Sequence, residues 1–349
     1  MKNYYTFMLA LFSCAISNAQ NIIDVLHYGN ENLQGTARYQ ALSGAFGALG
    51  GDLSAINVNP AGTAVFNSSQ FTISGTNYNH NNDASYRNRT INTNLNSLKI
   101  NQAGSVLVLK SADSDNSWQK IALAFNYDLA TNFNNRFSLA GSTDQGVDTY
   151  FLNKAGGIPL INLQTPTGSF VEQNYLNIGL QENGFALQQA YLGYQASLFE
   201  PEFDTEQNDV YNSNAGYNNV NQNFTQTSSG YNSKFILNAS GQYEDNLYLG
   251  ASLNFHAVDY IKITQLRERG FEDDSPIQYI NFDNLLYTNG GAFSFSLGAI
   301  TKLNDNIRIG GSYQSPTWYF LTDETSQRIN SNLADENIRF INFDIVNVF

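Results

Sequence analysis

Through the second half of the chain, apolar and polar positions alternate with a period of two. Leu247, Leu249, Ala251, Leu253, Phe255 and Ala257 interleave with Tyr248, Gly250, Ser252, Asn254 and His256. One face of such a segment is wholly apolar and the other mostly small or polar, as in a strand lying between two different environments. Phe235, Leu237, Ala239, Gly241 and Tyr243 repeat the pattern against Asn238, Ser240 and Gln242, joined to the first by Glu244-Asp245-Asn246. Phe293, Phe295, Leu297 and Ala299 turn through Asn304-Asp305-Asn306 into Ile307, Ile309, Gly311 and Tyr313. An earlier pair joins Val106 and Val108 to Ile121, Leu123, Phe125 and Tyr127, and Phe71 and Ile73 open a strand before it.

The segments between these pairs, 131-230, 270-289 and 321-337, are expected as long loops, with helical stretches near Val147 to Gly156 and Gly184 to Phe199. Short turns at one end and long loops at the other give the layout of an outer-membrane barrel. The segments Tyr231 to Gln242 and Asn246 to Gln265 exceed the roughly 9–11 residues a tilted membrane strand needs, where soluble strands average about 5–6. A soluble β-sandwich would alternate too, but turn asymmetry and strand length favour the barrel. The fold expected is all-β: a transmembrane antiparallel β-barrel of which about eight strands are present, occupying 67-349. Leu249, Leu253, Phe255, Phe295 and Leu297 are expected to face lipid, and Ser252, Asn254, Ser296 and Ser312 the lumen. Trp118, Tyr127, Phe133 and Trp318-Tyr319-Phe320 lie near strand ends, as interfacial girdles require.

Composition narrows the picture. Only 13% of residues are charged, about half the usual share, and 13% are aromatic. Seventeen Lys+Arg against 30 Asp+Glu leave a net charge of −13, which argues against a nucleic-acid partner. Residues 1-19 read as a signal peptide, with an apolar run Phe7 to Ile16 and small residues in Ser17-Asn18-Ala19; a lipoprotein signal ending at Cys14 is the alternative. Cys14 is the sole cysteine, so thiolate chemistry is not expected. His27, His80 and His256 are widely spaced, so no metal site is expected. Acidic runs such as Asp113-Ser114-Asp115 and Glu272-Asp273-Asp274 read as solvated turns, calcium being the alternative. No catalytic constellation stands out and no cofactor is expected, so the chain is read as no enzyme.

Residues 20-66 differ from the rest. From Ala37 to Gly62 the chain is dense in Gly and Ala, yet its spacing fits neither a dinucleotide nor a phosphate loop. Arg38, Gly44-Ala45-Phe46, Asp52, Ala55 and Asn59-Pro60-Ala61-Gly62 occur in the order found in one family. This stretch resembles the N-terminal hatch of the outer-membrane long-chain fatty-acid transporters, the FadL/TodX type. The resemblance implies a 14-stranded barrel with the hatch inside its lumen, and hence a chain lacking its C-terminal strands. The candidate site residues are those of the hatch motif: Asn59, Pro60, Ala61, Gly44, Phe46 and Asp52. The Asn59 amide is expected to latch the hatch to polar groups of the wall, such as Asn254 or Gln314.

The function expected is passive uptake of hydrophobic small molecules, such as long-chain fatty acids, across the outer membrane of a Gram-negative bacterium. The partners expected are that substrate, outer-membrane lipid and, during insertion, the barrel-assembly machinery. A haem or pigment receptor on the same scaffold, or an adhesive barrel, are the alternatives.

Overall fold

The computed structural model describes residues 27–30, 32–113, 116–304 and 306–342. The expected signal peptide, the first part of the expected hatch (20–26) and the chain end (343–349) lie outside them.

The strands are β1 (Gln70–Tyr86), β2 (Arg89–Lys110), β3 (Trp118–Asn132), β4 (Asn135–Thr143), β5 (Phe199–Pro201), β6 (Tyr211–Ser213), β7 (Val220–Tyr243), β8 (Leu247–Arg269), β9 (Tyr279–Lys302), β10 (Arg308–Gln314), β11 (Trp318–Ser331) and β12 (Asp335–Asn342). The helices are α1 (Ala37–Ala41), α2 (Val147–Ala155), α3 (Val171–Gly179) and α4 (Gly184–Gln195). One antiparallel sheet runs β1-β2-β3-β7-β8-β9-β11-β12, with β4 continuing β3 along β7 and β10 preceding β11 along β9. Taking each broken pair as one strand gives eight, the number expected. The sheet curls into a half-barrel.

On the lower part of the sheet, the alternation becomes two faces. Leu249, Leu253, Phe255 and Leu297 are exposed on the convex side, while Ser252, Asn254 and Ser296 are buried on the concave side. Phe295 also faces outward but is half-covered, its ring centroid 6.2 Å from that of Tyr313. Ser312 is exposed on the terminal part of β10, yet its hydroxyl donates to Val58 O at 2.6 Å on the concave side. Register aligns the apolar residues sideways: Phe125 pairs Leu237, Leu237 pairs Leu253, and Leu253 pairs Phe295. The result is a continuous apolar belt across neighbouring strands. Along β8 it runs unbroken from Leu247 to Ala257; Asp259 interrupts it, and Ile261 and Ile263 follow on the same face. At about 3.3 Å per residue and a tilt of roughly 40°, the unbroken run makes a band about 25 Å tall, the height of a bilayer's apolar core. No helix among the described residues is long and apolar enough to cross a membrane.

Above the belt, three expected loops shrink. β7 begins at Val220 and β4 occupies 135–143, so the first long connection is confined to 144–219. The second is 270–278, because β9 starts at Tyr279. The third, 321–337, is mostly the antiparallel pair β11–β12. These strand extensions mix polar residues with isolated apolar ones such as Val220, Leu266, Ile280, Phe282 and Ile329, so no regular period-2 alternation marks them. The top turn between Tyr86 and Arg89 is as short as any below, so the loop asymmetry rests on one large insertion.

That insertion forms its own core. Phe151, Leu160, Leu163, Tyr175, Tyr191, Leu192 and Leu198 are fully buried and pack onto Val220, Ile280 and Ile329 at the upper strand ends. Two of its helices match the expected stretches; α3 between them carries no marked sequence signal. Tyr175 OH and Gln189 Nε2 both donate to Gln327 Oε1 on β11, at 2.8 and 3.0 Å. Gln327 lies on the concave parity of its strand, so the insertion caps the concave side at the top.

Candidate functional site

The N-terminal segment lies on the concave face at the lower end. Asn59 and Pro60 open a 3-10 turn, Pro60–Val65, with Asn59 Oδ1 accepting from Ala61 N at 3.0 Å. The other end of that amide donates to Gly47 O within the segment at 2.8 Å and to the wall at Ala299 O, 3.0 Å, and Gly311 O, 3.3 Å. Asn59 and Ala61 are fully buried. The latch expected of Asn59 is therefore present, but its partners are backbone carbonyls. Asn254 instead donates to Ser294 Oγ at 3.1 Å, and Gln314 is exposed. A side-chain partner was the natural guess from sequence; backbone carbonyls freed by a neighbouring strand leave no mark in composition.

The wall is cut to receive this turn. A Cβ added at Gly298 on β9 would lie 2.0 Å from Asn59 Oδ1, at Gly250 on β8 2.4 Å from Pro60 O, and at Gly310 on β10 2.0 Å from Gly47 O. Gly250 and Gly298 are direct cross-strand partners. Only glycine allows backbone so close to backbone. Further along, Asn238 Nδ2 donates to Pro60 O at 3.0 Å, the Thr63 hydroxyl sits 2.6 Å from Ser240 Oγ, and Lys120 Nζ donates to Phe66 O at 2.9 Å.

The remaining motif residues organise the segment itself. Asp52 caps the 3-10 turn Leu53–Asn57 through Ser54 N at 2.9 Å and accepts the Thr36 hydroxyl at 2.7 Å. Phe46 is fully buried, its centroid 5.4 Å from that of Tyr39 and 5.4 Å below the Arg38 guanidinium. Gly44, at φ 73°, turns the chain after α1 and donates to Tyr39 O at 3.0 Å. Tyr39, Phe46 and Ala55 thus form a small internal core within this Gly- and Ala-rich segment.

Two features above this seat went unrecognised in the sequence. The first is a break in the wall. The β2–β3 ladder ends at Gln102 opposite Asp128, whereas β1–β2 pairing continues to Tyr86 opposite Arg89. Among the described residues no backbone pairing joins β2 to β4. A register shift at Leu129/Thr131 starts the divergence, and Gly230 beside it, at φ 118°, leaves no room for a Cβ, which would sit 2.0 Å from Asp259 O. The N-terminal segment spans the gap: Asn32 N donates to Ala130 O at 3.2 Å and the Thr131 hydroxyl to Asn30 O at 3.0 Å on the β3 side, and Asn101 Nδ2 of β2 donates to Gly35 O at 2.7 Å on the other.

The second is a chamber on the concave side. Its floor is aromatic: His27 stacks on Phe133 at 4.8 Å and meets Tyr260 edge-on at 4.6 Å, while Tyr28, Tyr319 and Leu321 pack around them. Phe133, expected in an interfacial girdle, faces this interior because the β3–β4 break rotates it inward. Burial and the nearby Lys262 ammonium hold the His27 imidazole below its usual range. Above the floor, Lys262, Leu286, Thr325 and Gln327 line a cavity of about 270 Å³ that Phe185 of α4 covers. Lys262 has no carboxylate partner among the described residues. Its signal in the sequence is a lone lysine at the lumen-facing parity of the expected Asn246 to Gln265 segment, a position the sequence reading does not single out.

His256 is a concave-face residue as expected, its Nδ1 3.0 Å from Asn232 Oδ1. No cluster of three or more His, Cys, Asp or Glu able to hold a metal exists among the described residues. Comparison with known proteins finds no matching family model, no matching curated protein and no matching solved structure.

Proposed function

We propose that this chain belongs to an outer-membrane channel for passive uptake of hydrophobic small molecules that carry an anionic head, long-chain fatty acids being the default substrate. The single observation that carries this reading is Lys262, placed against Leu286 and Phe185 over an aromatic floor. An ammonium beside apolar surface, with no carboxylate partner among the described residues, favours a ligand with a carboxylate at one end and a hydrocarbon chain at the other. The apolar belt supports placement in a bilayer, and the resemblance of the Asn59-Pro60-Ala61 segment supports the transporter family and a closed 14-stranded barrel in the complete protein. In this reading the segment at 32–66 is the hatch. The wall break between β2 and β4, crossed by Asn30 and Asn32, is the lateral exit, and movement of that crossing opens it.

The test compares oleate with oleyl alcohol, which has the same chain and no charge. Binding of both is measured by displacement of a fluorescent fatty-acid analogue from the purified protein and its Lys262→Gln variant. A lost charge-assisted contact weakens oleate about tenfold or more and leaves oleyl alcohol within about twofold. Equal affinity of the two variants for oleate overturns the assignment of Lys262. The haem alternative needs an axial ligand such as His27, whose Nε2 is buried without a hydrogen-bond partner. A Soret band on haemin titration that Phe replacement of His27 abolishes would favour it instead.

A further inference from the structure

A second polar site lies far from the chamber, on the convex side at the top of the sheet. The turn between β1 and β2 folds beside β4 there, and with β7 and β8 it encloses a cleft of about 630 Å³. Four arginines line it: Arg87 and Arg89 from the turn, Arg267 and Arg269 from β8. The chain has nine arginines in all and a net charge of −13, so four in one cleft oppose the charge of the molecule as a whole.

Two of the four are neutralised by the protein. Arg267 forms a bidentate pair with Asp283, and Arg87 lies 3.5 Å from Asp144. The other two are not. The Arg269 guanidinium donates only to neutral acceptors, among them Asn281 Oδ1 at 2.8 Å, and lies 5.0 Å above the Tyr279 ring. Arg89 is exposed and has no carboxylate partner among the described residues. Asn221 and Asn223, cross-strand partners of Arg269 and Arg267, add amide donors and acceptors to the same wall. Planar guanidinium forks match the oxygens of a phosphate, and amides with an aromatic ring nearby match a sugar.

We propose that this cleft binds a phosphorylated saccharide, the chemistry shared by a free sugar phosphate and the head of a membrane glycolipid. Arg89 and Arg269 hold the phosphate, Asn221 and Asn223 the sugar hydroxyls. Asn221, Asn223, Arg267 and Arg269 share the strand parity of Leu237 and Leu253 in the apolar belt, which places these four groups within reach of a membrane-anchored head.

The full chain is titrated calorimetrically with glucose 1,6-bisphosphate, and separately embedded in phosphatidylcholine nanodiscs with or without a bis-phosphorylated glucosamine glycolipid. The variants are Arg89→Gln, Arg269→Gln, and Arg308→Gln on β10 as a control outside the cleft. Binding of either probe is expected, weakened about tenfold or more by each cleft substitution, unchanged by Arg308→Gln, and falling with added salt. Binding of the soluble probe identifies a free sugar phosphate as sufficient; binding of the glycolipid alone identifies the membrane source. Absence of binding to both probes overturns the proposal. So does binding that Arg89→Gln leaves intact, since that exposed side chain can be replaced without disturbing the fold.

Discussion

The lower and upper halves of the sheet are built from the same strands and obey different rules. Below about Ala257, every second residue of β8 is exposed and apolar, and the alternate residues are buried and small or polar. Above Asp259 the strand continues for ten residues, and past Ile261 and Ile263 the face that was apolar below carries Gln265, Arg267 and Arg269. The ladders of β8 with β7 and β9 are uninterrupted through both halves, so along this strand hydrogen bonding does not distinguish them. What differs is the medium each convex face is suited to and the material each concave face holds: a Gly-Ala segment below, a helical cap above.

The largest effect expected from that contrast is positional. Leu253→Arg, in the belt, should destabilise the folded protein by about 2–4 kcal/mol in lipid, and Ile261→Arg, on the same face above it, by less than about 1 kcal/mol. Unfolding in urea from phospholipid vesicles measures both, and equal losses would break the contrast.

Next comes Glu268, inward-facing near the top of β8. Its Oε1 accepts from Val147 N at 2.8 Å and Gln222 Nε2 at 2.7 Å, and Asp148 lies close by. Burial above all pushes its carboxyl up to about 7, with the Asp148 charge adding to this and the two hydrogen bonds opposing it. A carboxyl raised from 4.5 in the unfolded chain destabilises the folded state when ionised, so stability is highest at acid pH and falls as pH rises from about 4.5 to about 7. The full shift corresponds to about 3 kcal/mol as an upper bound. Glu268→Gln should remove that slope and make the α2 region more resistant to proteolysis at pH 8 than the parent; an unchanged pH dependence would show that Glu268 is not its source.

In the lower half, Asn59→Ala removes the donor to three carbonyls and the cap on Ala61 N, an expected cost of about 1–3 kcal/mol confined to the seating of residues 32–66. Gly298→Ala should produce the same unseating from the wall side. Limited proteolysis reads both as faster cleavage within 32–66 with the sheet intact, and unaltered cleavage in both would contradict the seat.

The lower half was the legible one. Period-2 alternation fixed its strand faces, and a motif of small residues marked the segment that sits on it. The upper half was hidden because Thr, Asn and Gln on both faces of β7, β9 and β11 look like loop, and only cross-strand register shows them paired. The chamber was hidden for a related reason. Lys262, His27 and Phe185 come from three separate parts of the chain, and no local pattern places them together. Asp52 and Phe46, two of the expected motif residues, find their partners Thr36, Ser54, Tyr39 and Arg38 within the segment itself.

The smallest effect is at the belt's rim. Trp118 meets Tyr243 edge-on at 5.4 Å, and truncating it to Ala should cost about 0.5–1.5 kcal/mol beyond lost area, less than any belt substitution.

Spin labelling tests the belt most directly. The sole cysteine, Cys14, lies in the expected signal peptide, so single cysteines can be introduced at positions 249, 253, 261 and 265 of β8 in protein reconstituted into phospholipid vesicles. Nitroxides at 249 and 253 should collide readily with oxygen and poorly with a water-soluble nickel chelate, and those at 261 and 265 should reverse that order. Equal nickel accessibility at 253 and 261 would mean that the convex face of the lower half meets water, and the membrane assignment would fall.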